Sequence, residues 1–156
     1  MKLTIFAVGH KLPDWVAAGC AEYVKRMPRE LPLAVVEIKP EPRGSKTREQ
    51  LLSAEKTRLQ AALQGYGRVI VLDERGDDLT TLKLAQRLEG WMREGGDTAF
   101  VIGGADGVDE EIKRNCDGMI RLSSLTLPHA MARLVLCEQL YRAFSVIRNH
   151  PYHREG

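Results

Sequence analysis

The chain has 156 residues, enough for one domain with its own hydrophobic core. Its 23 basic and 21 acidic residues give a formal net charge of only +2, which argues against a protein that holds long stretches of nucleic acid by charge. No apolar run approaches the roughly 18 residues that a membrane span needs. The first residues also lack the apolar region of a signal peptide, so we expect a cytoplasmic protein. The three cysteines are odd in number and widely spaced, which favours neither a disulfide framework nor a zinc motif.

Apolar segments of strand length alternate with segments of helical periodicity along the chain. In chain order, the sequence predicts a strand at 2–8, a helix at 12–27, a strand at 33–38, a helix at 47–63, a strand at 68–73, a helix at 81–94, a strand at 98–102, a helix at 109–116, a strand at 119–122 and a helix at 128–147. This alternation predicts a single α/β domain over residues 1–156, with a parallel sheet flanked by helices on both faces. Ligands of such sheets bind at the carboxyl ends of the strands, so the segments that follow strands are the candidate site.

The segment IGGADGV, residues 102–108, follows a predicted buried strand and precedes a helix. Three glycines within five positions allow a sharp turn and a close approach of the backbone to a ligand. The spacing matches neither the dinucleotide fingerprint G-x-G-x-x-G nor the phosphate-binding P-loop. An ordinary strand-to-helix turn and a ligand-binding turn therefore both remain open.

The segment LSSLTLPH, residues 122–129, joins the last predicted strand to the final helix. One interpretation makes Thr126 the N-cap of that helix, with the serines in ordinary turns. The other makes the segment a loop whose backbone groups hold a flat heterocycle between leucine side chains. Local chemistry does not decide between them.

The final helix is apolar almost all round, which is typical of a helix that is buried or covered by a partner, and a dimer interface is plausible. His129 and Arg133 are four residues apart and share one face, and Glu138 and Arg142 form a second such pair. An isolated intrahelical ion pair of this kind is worth only about 0.3–0.5 kcal/mol. The helix leads into NHPYHREG, residues 149–156, which composition alone would make a solvated basic tail.

These segments, VLD, IGGADGV, LSSLTLPHAMARLVLCEQLYRA and NHPYHRE, closely resemble the bacterial ribosomal RNA large subunit methyltransferase H family, small enzymes of the SPOUT class. The resemblance extends over essentially the whole chain. It implies a SPOUT fold with a C-terminal trefoil knot, and a homodimer whose active sites draw on both chains. It further implies S-adenosylmethionine bound in the knot. The substrate would be a pseudouridine in a stem-loop of large-subunit (23S) rRNA, methylated at N3 on the assembled ribosome.

By position, the resemblance implies a cofactor pocket formed by Leu72, Gly103, Gly104, Leu122, Ser123, Ser124, Leu125, Thr126 and Leu127. The N3–H of pseudouridine is a weakly acidic imide, so a base and nearby cations would help methyl transfer. The candidate catalytic residues are His129, Arg142 and His153, with either histidine as the base. The candidate substrate-binding residues are Arg133, Tyr152 and Arg154, and no metal is expected.

Under this interpretation residues 149–156 order at the dimer interface and reach over the partner's cofactor, with Pro151 ending the helix and turning the tail. Three other functions compete with it. The chain could be a ribosome-associated binding module without chemistry, or a SPOUT enzyme with another RNA target such as tRNA. A metal-dependent hydrolase built on His150, His153 and His129 is the third.

Overall fold

Five strands form one sheet in the computed structural model, which describes residues 1–9 and 11–154. The strands are β1 (Leu3–Val8), β2 (Leu33–Ile38), β3 (Arg68–Asp78), β4 (Thr98–Ile102) and β5 (Gly118–Arg121). Their order across the sheet is β2-β1-β4-β3-β5, and every pairing between neighbours is parallel. The predicted parallel α/β architecture is confirmed.

The helices lie on both faces of this sheet, as predicted. They are α1 (Asp14–Arg26), α2 (Arg48–Ala62), α3 (Thr81–Glu94), α4 (Glu110–Asn115) and α5 (His129–Ile147), followed by a 3₁₀ turn at Pro151–Arg154. Side chains of α1, α3 and α5 share one core cluster, whereas α2 and α4 pack on the opposite face with Leu59 and Ile112. Within the described residues, no helix is long and apolar enough to cross a membrane.

The central strands explain why the sheet is buried on both faces. Every residue of β1 and β4 is buried, including the threonines Thr4 and Thr98. A strand covered on both sides needs a continuous run of apolar residues rather than an alternating one, and TIFAV and AFVI supply it. The two strands whose sequences are most uniformly apolar are therefore the central strand β4 and its neighbour β1.

Strand β3 continues five residues beyond the predicted end at Asp73. The extension is polar, which is why hydrophobic patterning did not reveal it. It brings β3 against β5 a second time, because Leu72 and Asp77 both lie opposite Ile120. A Cβ on Gly76 would lie 2.6 Å from backbone atoms of Ile120, so only glycine allows this crossing. The crossing involves the segments in which the knot is expected, and the knot itself stays a prediction.

Helix α5 ends at Ile147 as predicted, but its start and the residue that terminates it differ from the expectation. The helix begins at His129 with Pro128 as its N-cap residue and no side-chain cap, so the N-cap interpretation of Thr126 is wrong. At the other end the backbone N–H of Asn149 donates to Val146 (3.1 Å) and that of His150 to Ser145 (2.8 Å). With Asn149 at φ 53°, this is a Schellman motif. Asn149, rather than Pro151 alone, therefore ends the helix and turns the tail back.

Candidate active site

A cleft of about 1430 Å³ opens where β1, β2, β4 and β5 end, beside residues 72–75 of β3. All nine residues expected to form the cofactor pocket line it, and so does His129. The set comprises Leu72, Gly103, Gly104, Leu122, Ser123, Ser124, Leu125, Thr126 and Leu127. The cleft lies at the carboxyl ends of parallel strands, where ligands of open α/β sheets bind.

The glycine-rich turn after β4 forms one wall of the cleft. The N–H of Gly107 donates to the carbonyl of Gly104 over 3.1 Å, and Gly107 has a φ of +82°. A Cβ on Gly103 would lie 2.5 Å from the carbonyl carbon and oxygen of Gly107, so the turn closes only around a glycine. From the loop after β2, Arg43 donates to the Asp106 carboxylate over 2.6 Å and holds the outside of the turn.

The loop after β5 forms another wall. The backbone N–H of Leu125 donates to Ser123 Oγ over 2.9 Å, which bends the loop, and the Leu125 side chain is 77% exposed. Leu122 and Leu127 are half-buried and line the cleft from either end of the same loop. Apolar side chains along a bent loop of this kind are suited to a flat heterocycle, which agrees with the second interpretation of LSSLTLPH.

His129 lies in the cleft with both ring nitrogens engaged. Its Nε2 is 3.0 Å from Arg133 Nε, which can only donate, so Nε2 accepts. The proton of the neutral ring is then on Nδ1, which donates to the carbonyl of Gly103 over 3.0 Å. Arg133 is fully buried and donates on its other side to Glu37 over 3.1 Å. Arg133 does not line the cleft in one chain, although it was expected to contact substrate.

The pKa of His129 lies below its usual value of 6.5, because burial and then the Arg133 cation oppose protonation. Between the lowered pKa and 6.5 the unfolded chain binds more protons than the folded one, so the free energy of unfolding falls as the pH falls through this window. We expect a smaller loss in His129→Asn, which cannot titrate there. Denaturant titrations near pH 7.5 and near pH 5 measure the difference, and equal losses would contradict a neutral ring.

The tail residues form a second cluster at the other end of α5. Arg142 binds Glu138 through Nε and Nη2 over 2.9 and 2.8 Å, and its guanidinium lies over the Tyr152 ring, 4.9 Å from the centroid. Tyr152 donates its hydroxyl to Glu138 over 2.8 Å and accepts from Tyr23 over 3.1 Å. Burial and the Glu138 carboxylate, which accepts the hydroxyl proton, raise the pKa of Tyr152, so it is a neutral phenol at physiological pH. Arg154 is exposed and donates to Asn149.

His153 differs from His129 because only one of its ring nitrogens has a hydrogen-bond partner among the described residues. Ser145 uses its only hydroxyl proton on the carbonyl of Arg142 over 2.7 Å, so it accepts from His153 Nδ1 over 3.3 Å. The neutral ring then carries its proton on Nδ1 and presents the Nε2 lone pair, and no described residue binds that lone pair. This arrangement favours His153 over His129 as a general base.

The two clusters do not meet within one chain. The cleft lies at the first turn of α5, whereas the tail cluster packs against the helix from Glu138 to Ser145, about 14 to 24 Å further along its axis. None of Arg142, Tyr152, His153 and Arg154 lines the cleft. The histidines do not converge either, and among the described residues no group of three or more His, Cys, Asp or Glu could hold a metal ion. The hydrolase interpretation therefore has no support.

Three residues that hold parts of the candidate site in place were not predicted from the sequence. Tyr23 and Glu37 lie more than 90 positions from the side chains that they contact, and no local pattern connects them. Asn149 could have been found, because asparagine after a helix and before His-Pro is a recognisable signal for a left-handed C-terminal cap.

Comparisons with known proteins define the class first. The family model for predicted SPOUT methyltransferases matches residues 1–153. A probable methylase family protein from Haemophilus influenzae Rd KW20 superposes with a TM-score of 0.58 at 17% identity, covering 97% of this chain and 69% of that one. A probable methyltransferase from Bordetella pertussis Tohama I gives a TM-score of 0.57 at 18% identity, covering 90% and 95%. The fold is that of a SPOUT methyltransferase.

Closer relatives define the family. The ribosomal RNA large subunit methyltransferase H of Dechloromonas aromatica (strain RCB) is 70% identical over 156 residues, the full length of both chains. The enzyme of the same name from Burkholderia vietnamiensis (strain G4 / LMG 22486) is 56% identical over 155 residues, 99% of each chain. The chain belongs to the ribosomal RNA large subunit methyltransferase H family, as the sequence motifs predicted.

Proposed function

We propose that this protein transfers a methyl group from S-adenosylmethionine to N3 of a pseudouridine in a stem-loop of 23S rRNA, acting in the cytoplasm on assembled ribosomes. The observation that carries the proposal is the convergence of all nine expected pocket residues on one cleft. The cleft fits this cofactor because Gly103 lets the backbone close tightly and leucines offer an apolar wall for adenine. The cofactor has no phosphate, which agrees with the missing dinucleotide and P-loop signatures.

The active site is composite in this proposal. Since the tail packs on α5 about 14 to 24 Å along the helix from its first turn, and none of its candidate residues lines the cleft, the tail of one chain serves the cleft of another. The protein is then a homodimer with two symmetry-related sites. Leu134, Tyr141, Phe144 and Ile147 of α5 remain only partly buried in one chain, which agrees with apolar surface left for a partner.

Catalysis rests largely on positioning and charge. S-adenosylmethionine supplies an activated methyl group on a sulfonium. His153 accepts the N3 proton of pseudouridine at its free Nε2, and Arg142 and Arg154 stabilise the negative charge that develops on the flanking carbonyls or contact phosphates. Tyr152, held by Glu138 and Tyr23, stacks on the base or closes the site.

Labelled methyl transfer to ribosomes from a strain that lacks the enzyme tests the proposal. We expect incorporation into one pseudouridine of 23S rRNA, located by mapping the modified nucleotide. We also expect far less incorporation into free rRNA, because the modest net charge of +2 gives weak binding without the shape of the assembled particle. Equal rates on ribosomes and on free rRNA would contradict action on the assembled particle.

The same assay distinguishes the competing functions. Incorporation into tRNA instead of 23S rRNA would show a SPOUT enzyme with another target. A binding module without chemistry has no reason to hold S-adenosylmethionine, so calorimetry without detectable cofactor binding would favour it.

A further inference from the structure

Arg133 is an unusual residue to bury. It is 0% exposed, and it is the largest of the fully buried side chains. Arginine is almost never fully buried unless paired, and a well-packed apolar side chain in place of a buried ion pair is often neutral or stabilising. Stability alone therefore does not explain an arginine at this position. The contacts of Arg133 suggest a functional reason.

The contacts of Arg133 form a continuous chain from the protein surface to the cleft. Glu37 on the edge strand β2 is about half exposed and accepts from Arg133 Nη1. Arg133 Nε donates to His129, and His129 donates to the carbonyl of Gly103. Each of these hydrogen bonds fixes the direction of the next one, so the orientation of the imidazole is determined from outside the cleft.

The backbone of β1 is also fitted to this chain of contacts. A Cβ on Gly9 would lie 3.0 Å from both Arg133 Nη2 and His129 Nε2. Gly9 itself lines the cleft and donates its N–H to the carbonyl of Ile38, beside Glu37. The arginine, the imidazole and two glycines of the cleft wall are therefore packed as one unit.

We propose that Glu37, Arg133 and His129 form a positioning relay that holds the Gly103 carbonyl and so keeps the glycine turn in the shape that binds the cofactor. The inference rests on the proposed use of S-adenosylmethionine. It makes His129 a positioning residue whose occupied nitrogens leave it no lone pair for substrate. It makes Glu37 important for cofactor affinity although Glu37 does not line the cleft.

Replacing His129 by asparagine or by glutamine tests its two hydrogen bonds, to Gly103 and from Arg133, separately. The amide nitrogen of asparagine stands near the position of Nδ1 and can still donate to Gly103. Glutamine reaches the position of Nε2 and can still accept from Arg133, but it leaves the Gly103 carbonyl unbound. With calorimetry and S-adenosylmethionine as the probe, we expect His129→Asn, which loses only the bond from Arg133, to bind about threefold more weakly than the wild type, and His129→Gln about tenfold or more weakly.

A variant of the half-exposed Glu37 tests the outer end of the relay, with thermal unfolding as a check that the chain still folds. Glu37→Ala should weaken S-adenosylmethionine binding about threefold or more by releasing Arg133, whereas Glu37→Gln keeps an acceptor and should retain most of the affinity. Glu30→Ala is the matched control, because Glu30 is also an exposed carboxylate paired with an arginine, Arg148, but at 3.7 Å and without a link to the cleft. We expect no change in that control.

The ring state of His129 gives a readout that does not depend on the cofactor. Nitrogen-15 NMR of the free protein, with the signal assigned by its loss in His129→Asn, should show a neutral ring protonated on Nδ1. A proton on Nε2, equal affinities for His129→Asn and His129→Gln, or an unchanged affinity in Glu37→Ala would each overturn the relay. Wild-type protein that fails to bind S-adenosylmethionine would overturn the proposed function, while the NMR result would still test the hydrogen bonds.

Discussion

A mixed dimer that pairs a His153→Ala chain with an Ala105→Trp chain is expected to have about half of the wild-type methyl-transfer activity. His153→Ala removes the proposed base from the tail. Ala105→Trp fills the cleft, and because Ala105 is exposed, the larger side chain need not disturb the core. Each homodimer should be inactive. In the mixed dimer, the unaltered cleft of the His153→Ala chain meets the unaltered tail of the Ala105→Trp chain, and one site of two is complete.

The matched control places both changes on one chain and pairs it with a wild-type chain. If each site combines the cleft of one chain with the tail of the other, both sites of this dimer are damaged and activity is lost. Two affinity tags isolate each mixed dimer, and labelled methyl transfer to ribosomes measures it. If cleft and tail of the same chain worked together, the results would be reversed, with activity only when both changes share a chain.

Gly103→Ala is expected to have the second large effect, a loss of S-adenosylmethionine affinity on the order of a hundredfold. The added methyl would lie 2.5 Å from backbone atoms of Gly107, which cannot rotate away as a flexible side chain could. The turn must shift, and both the cleft wall and the hydrogen bond from His129 shift with it. Overpacking against backbone should also lower the free energy of unfolding by roughly 1–3 kcal/mol.

Gly118→Ala is the control for this change. Its Cβ would meet only Ile70 Cδ1, at 3.4 Å, an ordinary contact with the end of a side chain. Calorimetry with S-adenosylmethionine and thermal unfolding measure both variants. Wild-type affinity in Gly103→Ala would show that the glycine turn is not part of the cofactor site.

The fold was largely predictable because its strands are apolar runs of strand length between segments of helical periodicity. The bounds of β2, α3 and β4 agree with the prediction residue for residue. The extension of β3 escaped because ERGDD is polar and is held by a tertiary crossing rather than by its own pattern. Local periodicity reports burial, and it carries no information on where two distant segments cross.

The cleft was predictable for a different reason. Its residues follow the ends of parallel strands, and the resemblance to a known family assigned the same positions. The partners of the tail were not predictable, because Tyr23 and Tyr152 are 129 positions apart and meet only through the packing of α1 on α5. The spacing of His129 and Arg133 correctly suggested that they are neighbours. It could not show that Glu37 holds the arginine and thereby leaves His129 without a free nitrogen.

The double contact of β5 with β3 also decides when the cleft can exist during synthesis. Ile120 lies opposite both Leu72 and Asp77, more than forty residues earlier in the chain, and the loop that lines the cleft follows immediately after it. A nascent chain therefore has most of its sheet before it has this cleft. If the cleft holds S-adenosylmethionine as proposed, a chain that stops before residue 127 lacks the loop that lines it and should not bind the cofactor.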